Sequence, residues 1–468
     1  MKENPRRRRR KKNHGGLAAV AVVLALVLVG LLVMVFVLGK EPADSTTEPA
    51  TTVTTVPPTT TEAPTTVPPT TTAPPIVLES QFTLSAVGDM LMHKPVFNSG
   101  YFYETGTYNL DSIFRYFTDH ISRADLAVGN LETTLAGTDN GYPFSGYPQF
   151  NCPDEIIDSM KTAGFDLVLT ANNHSYDTRG IGLRRTLEVI RDRQLGYLGT
   201  KVEADDPNFI VVERNGIKLG LACYTYEDSA DPNIKAPNYI TMSAEDAPLI
   251  NAFDYTNLDM FYSELSDSMA LAEEQGAEAF VLFIHWGYEY QTTQHPIQSQ
   301  IAQSLCDIGV DVIIGGHPHV VQPVELLTST TDENQKTVCL YSMGNAVSNQ
   351  RLGNISYVKT AHTEDGVMFS VTFNRYSDGT VILSGAQCLP TWVNLHLNTE
   401  TAHNEYNILP LDKSITDWKS AFGLNDSKLN AANASYDRTL AIIGPGMETV
   451  DSYLAQRTAE VEALLGVE

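Results

Sequence analysis

Cysteine is scarce and unpatterned in this 468-residue chain. There are five, Cys152, Cys223, Cys306, Cys339 and Cys388, with no C-x-x-C pair, which excludes a disulfide-built scaffold. Cys223 and Cys339 lie in strand-like runs and read as small buried hydrophobes. Basic residues are also scarce, and unevenly placed. Of 31 Lys+Arg and 56 Asp+Glu, eight basic residues and one acid fall in residues 1–12, and residues 13–38 carry no charge. Residues 39–468 therefore hold 23 basic and 55 acidic side chains, a net of −32. Nucleic-acid binding by that body is not expected, because phosphate affinity comes mostly from Lys and Arg. No internal repeat is visible, and the composition excludes collagen, coiled coil and wholesale disorder.

What the N-terminus does have is one long apolar run. Leu17 to Leu38 is 22 residues without a charge, nearly all Leu, Val and Ala, long enough at ~1.5 Å per residue to span roughly 33 Å of bilayer. Residues 1–16, with their basic block, are expected in the cytoplasm, and everything after residue 38 outside. A cleaved signal peptide would have a shorter apolar core, and Phe36-Val37-Leu38-Gly39-Lys40 is a poor cleavage site. The expectation is a single-pass membrane anchor with an extracellular C-terminal body. Residues 39–76 are low-complexity Thr and Pro and lack the apolar residues to fold, so they read as a disordered stalk.

From Val77 the composition becomes globular. Short β-rich runs alternate with polar clusters and amphipathic helices, which predicts an α/β body with buried strands. Strands are expected at 82–87, 126–128, 167–170, 218–224, 279–284, 310–314 and 338–341, and helices at 153–163, 181–193, 257–275 and 297–307. Gly366 to Phe373 and Thr380 to Ala386 read as an antiparallel pair joined at Ser377-Asp378-Gly379. The main domain is drawn at 77–392. Residues 393–468 are drawn as a C-terminal extension, irregular over 394–421 and helical over 452–465.

The polar clusters carry the chemistry. Six predicted strands each run into one: Gly88-Asp89 with His93 beyond it, Asn130-Leu131-Glu132, Asn172-Asn173-His174-Ser175, His285-Trp286-Gly287 with Glu289, Gly316-His317-Pro318-His319, and Ser342-Met343-Gly344-Asn345. Taken singly, each is a turn, a cap or a satisfied histidine. Taken together they should meet, because sites in α/β sheets form outside the carboxyl ends of strands. Imidazole, carboxylate and amide donors without thiolate favour Mn, Fe or Zn. Six candidate ligands exceed what one tetrahedral ion needs, so a pair of divalent ions is expected. The natural chemistry of such a pair is hydrolysis or transfer at phosphorus or at a carbonyl-type centre.

In order along about residues 80–350, these clusters resemble the signature set of the CapA family of bacterial capsule or poly-γ-glutamate synthesis proteins. The resemblance implies a fold similar to calcineurin-like metallophosphoesterases, a two-sheet core sandwiched by helices. It implies Asp89 as the first-strand ligand and Glu132 where that fold has a bridging Asp. It implies Asn173 as a ligand beside a catalytic His174, His285 as an isolated ligand, and His317-x-His319 as the closing pair. This chain departs from the pattern in having no Asp-x-His at Asp89 and in having Glu at 132. His93, Asn172, Asp177, Glu289 and Asn345 are expected to support the ligands or touch substrate. The resemblance further implies a metal-dependent enzyme, phosphoesterase-like, that makes, exports or attaches an anionic capsule polymer. Its partners would be that polymer or a phosphoester, and a membrane polymer synthase. A non-catalytic accessory subunit of such a synthase, and an extracellular phosphoesterase unrelated to capsule, remain alternatives.

Overall fold

The computed structural model describes residues 75–467, apart from 230, 232, 233, 357 and 400–402. The segments expected as cytoplasmic, membrane-anchoring and stalk, up to residue 74, lie outside the described residues. Among the described residues no helix is long and apolar enough to cross a membrane. The fold is mixed α/β, and Ala73–Glu468 forms one compact unit.

Two sheets build it. The first runs from edge to edge as His403–Pro410, Val381–Asn398, Asp365–Tyr376, Leu78–Leu91, Leu126–Glu132, Leu167–Leu169 and Gly196–Leu198, with Asn345–Val347 beside Leu78–Leu91. The second runs as Val324–Thr328, Lys336–Leu340, Val312–Gly316, Ala279–His285, Ile217–Tyr226 and Phe209–Arg214, with Ala252–Phe253 beside Ile217–Tyr226. Both have a parallel centre: Leu78–Leu91, Leu126–Glu132 and Leu167–Leu169 in one, Ile217–Tyr226, Ala279–His285 and Val312–Gly316 in the other.

These central strands read as unbroken apolar runs because both of their faces are covered. Leu84, Val128, Leu221, Phe283 and Ile314 point into one core shared by the two sheets. The opposite faces take helices. Ile156, Ile157 and Met160 of the helix Glu155–Ala163 pack on Val87, Ala127 and Val168. Leu265 of the helix Leu258–Glu274 and Ile301 and Leu305 of the helix Pro296–Asp307 pack on Leu282, Ile284 and Ile313. Parallel strands of like direction end together, which brings every polar cluster to the same side of the fold.

Two features differ from the expectation for the C-terminus. Residues 394–398 and 403–410 are not irregular: the strand Val381–Asn398 runs through the 392/393 boundary, and His403–Pro410 pairs with it antiparallel. The terminal helix is also longer than 452–465. It spans Asp426–Leu465 and contains Pro445, and its Ile443, Val450 and Leu454 enter the core between the sheets. The expected extension thus supplies the edge of one sheet and part of the central core.

Candidate metal centre

The site begins with a bulge. Val87 pairs with Gly129 but Asp89 pairs with Asn130, so Gly88 is an extra residue in its strand. A β-bulge turns the side chain that follows it, and only glycine fits here: a Cβ on residue 88 would lie 1.9 Å from the Gly344 carbonyl oxygen. Asp89 also pairs across to Asn345 on its other side. Its carboxylate is fixed from two directions, by Asn130 Nδ2 donating to Oδ1 at 2.7 Å and the His317 N–H donating to Oδ2 at 3.1 Å.

His317 and His319 follow the strand Val312–Gly316 with φ of 95° and 55°. Left-handed backbone costs a non-glycine residue energy and persists where the surroundings over-determine it. The surroundings here are Asp89 at the His317 amide and Asn345, whose Oδ1 meets His319 Nδ1 at 3.2 Å while its Nδ2 donates to the His319 carbonyl. The loop turns both rings back over the sheet edge. His285 ends the neighbouring strand, opposite Gly316, and the Tyr226 ring lies parallel to it.

Two groups of ligand atoms result: Glu132 with His285 and His317, and Asp89 with Glu132 and His319, each within 4.8 Å of one another. Glu132 belongs to both. Its Oε1 lies 3.6 Å from His285 Nε2 and 3.7 Å from His319 Nε2. Asn173 Oδ1 lies 3.0 Å from His285 Nε2, within hydrogen-bond reach. All of these residues are buried.

The electrostatics suit a cation. Both oxygens of Glu132, and Nδ1 of His317, are buried without a hydrogen-bond partner, which is costly for a carboxylate. Burial, with Asp89 adding to it, pushes Glu132 up to about 8. Burial and the neighbouring imidazoles hold His285 and His317 well below their ordinary value. Burial also opposes charge on His319, but the Glu132 and Asp89 carboxylates outweigh it and push His319 up to about 10. Glu132 and His319 hold on to protons in the absence of a cation, so these acidic and histidine groups could hold a divalent metal ion.

His174 stands at the rim of the cluster, its Nε2 4.0 Å from Glu132 Oε1. Its Nδ1 lies 2.8 Å from Asp177 Oδ2. Burial opposes charge on this imidazole, but Asp177 more than offsets it and holds His174 above its ordinary value. Asn172 accepts the His174 amide N–H through Oδ1 and donates to Asn130 and to the Leu131 carbonyl, tying two clusters together. Glu289 Oε1 comes within 3.9 Å of His319 Nε2 from the solvent side. His93 lies in neither ligand group: its ring packs edge-on against Phe150 at 5.2 Å, and Phe150 packs against His174 at 4.6 Å.

Three contributors are not singled out by the sequence. Asn130 enters it only as part of its motif. Phe150 donates its N–H to Asp177 Oδ2 at 2.6 Å. Asn238 donates to Asp177 Oδ1 at 2.8 Å from a turn with φ of 50°. Neither of the last two stands near a motif, and no local signal marks them.

A family model described as "Bacterial capsule synthesis protein PGA_cap" matches residues 83–350. The chain is 25% identical over 308 residues to "Capsule biosynthesis protein CapA" of Bacillus anthracis, covering 65% of this chain and 66% of that protein. It is 25% identical over 266 residues to "PGA biosynthesis protein CapA" of Bacillus subtilis (strain 168), covering 57% and 63%. The match therefore spans less than two thirds of either relative's length. A solved structure of a hypothetical protein from Thermus thermophilus is similar at 14% identity with a TM-score of 0.36, covering 66% of this chain and 99% of that one. A likeness that slight carries no argument.

Proposed function

The chain belongs to the bacterial capsule synthesis family PGA_cap, and from that premise we propose that it is a metal-dependent hydrolase or transferase acting on an anionic surface polymer. The polymer is of the poly-γ-glutamate type, and the step lies in its synthesis, export or attachment. The fold is of the metallophosphoesterase type, and Leu17 to Leu38 anchors the catalytic body outside the cell membrane.

One observation carries the reading: Glu132 is shared between two three-residue ligand groups, with both its oxygens otherwise unpartnered. Asp89 and His319 would hold one ion, His285, His317 and Asn173 the other, and Glu132 both. Such a pair supplies an activated water and neutralises negative charge on the reacting group. The chain's own residues do the rest. Asp177 fixes the His174 ring so that Nε2 faces the reacting group. The raised affinity of His174 for its proton suits it to protonate a leaving oxygen or nitrogen. Burial of the ligands excludes bulk water from the centre.

The test is turnover by the full-length chain of a poly-γ-glutamate oligomer and of a small phosphodiester, with His174→Ala as comparison. Loss of at least about 10²-fold in turnover, with metal content retained, is expected. Equal turnover in wild type and variant contradicts the reading.

A further inference from the structure

Two ring contacts from His174, through Phe150 and His93, lies a cleft that no motif announces. Beside His93 and Lys94 the structure has a cavity of about 700 Å³, walled by Tyr142, Phe144, Tyr147 and Gln149 of the loop 137–151. The loop is built rather than loose. Asn151, fully buried, donates to the carbonyls of Gly137, Tyr142 and Pro143 and accepts the Ala136 N–H. Phe144 packs on the outer core through Phe97 and Tyr108. Asn238 pins the far side, donating to the Pro148 carbonyl at 3.2 Å.

The cleft is linked to the site through two rings. His93 lines it, and Phe150, near the end of the loop, packs against His93 on one side and His174 on the other. Its charge is the reverse of the body's. Acids outnumber bases by 55 to 23 over residues 39–468, yet none of the described residues lining the cleft is an aspartate or glutamate, and one is a lysine. His93 adds no charge near neutral pH, because burial lowers it to about 4. A polyanion meets general repulsion from this protein, and this acid-free cleft, two ring contacts from His174, is a place where that repulsion is relieved.

We infer that the cleft takes the segment of substrate flanking the reacting group, an anionic chain, with Lys94 as its charge contact and Tyr142, Phe144 and Tyr147 as its apolar wall. The inference rests on the metal-centre reading for what lies beyond Phe150. Carboxylate and phosphate share the required chemistry, and the probes separate them.

Calorimetry on the metal-loaded full-length chain would compare a γ-linked glutamate oligomer with a glycerol-phosphate oligomer, for wild type, Lys94→Glu, Lys94→Met and Tyr147→Ala. Whichever oligomer wild type binds should bind about tenfold more weakly to Lys94→Glu and more weakly in high salt. Lys94→Met should fall between, and bound metal should match wild type. Binding unchanged in Lys94→Glu, or wild type that binds neither oligomer, overturns the inference. The two readings separate cleanly. Lys94-dependent binding without any turnover keeps the cleft and removes the enzyme; turnover that needs His174, with oligomer binding indifferent to Lys94, does the opposite.

Discussion

Asp177 Oδ2 lies 2.8 Å from His174 Nδ1 and accepts the Phe150 amide N–H at 2.6 Å, while its Oδ1 accepts from Asn238. One carboxylate thus sets the tautomer of His174 and ties it to the loop that walls the cleft. A carboxylate only accepts, so the imidazole proton is on Nδ1 and Nε2 is the atom turned to the centre. Asp177→Asn keeps an acceptor for Phe150 but loses the charge that holds His174 in its protonated form. Turnover should fall by about 10²-fold or more, and its pH profile should lose the limb set by His174, with bound metal unchanged. Stopped assays across pH with parallel metal analysis check this.

Gly88 is predicted to be irreplaceable. A Cβ there meets the Gly344 carbonyl at 1.9 Å, backbone against backbone. Gly88→Ala should cost ~2 kcal/mol or more in chemical denaturation and weaken metal binding by displacing Asp89. Gly385→Ala, whose Cβ would meet Thr372 at an ordinary 3.7 Å, is the control and should cost little.

Metal binding and protons should be linked. In the metal-free protein Glu132 rises to about 8 and His319 to about 10, so near pH 7 the cluster holds protons that a cation must displace. Affinity should rise with pH between about 6 and 8, and calorimetry in buffers of different ionisation enthalpy should show net proton release. The sign for stability is the reverse. Both folded-state values lie above the unfolded ones, so both contributions are full at low pH and are lost as pH rises through about 8 and about 10. Chelated protein should therefore lose Tm from pH 7 to pH 10 by more than metal-loaded protein does.

The C-terminal helix belongs to the body's stability. Leu454 is buried in the core between the sheets, so Leu454→Ala should cost ~3 kcal/mol. A single unfolding transition that shifts as a whole is expected by circular dichroism. A separate early transition would make residues 426–465 an independent unit.

Much of this was legible in the sequence. The central strands announce themselves as apolar runs because both faces are buried, and each ends where a functional cluster begins. Asp89, Glu132, Asn173, His174, His285, His317 and His319 all come to one place. The tail was less legible, for reasons of chemistry. Asn394 and Asn407 are poor strand formers by propensity, yet they are buried opposite each other, with Asn407 donating to the Ser112 carbonyl. Gly444-Pro445-Gly446 reads as a helix break. The helix runs through it nonetheless, and Gly446 lets the helix approach the Val324 carbonyl, where a Cβ would lie at 1.8 Å. Asn238 reaches Asp177 from 61 positions away, a contact set by the fold alone. His93 is the nearest histidine to Asp89 in sequence, but the strand's end turns it to the cleft.

The most direct test of the central claim is metal stoichiometry of the full-length chain by mass spectrometry, in wild type and in Glu132→Gln. The account predicts about two divalent ions per chain in wild type and loss of both in the variant, because one carboxylate serves both groups. Wild type without bound metal, or a Glu132→Gln variant that keeps its full complement, would contradict it.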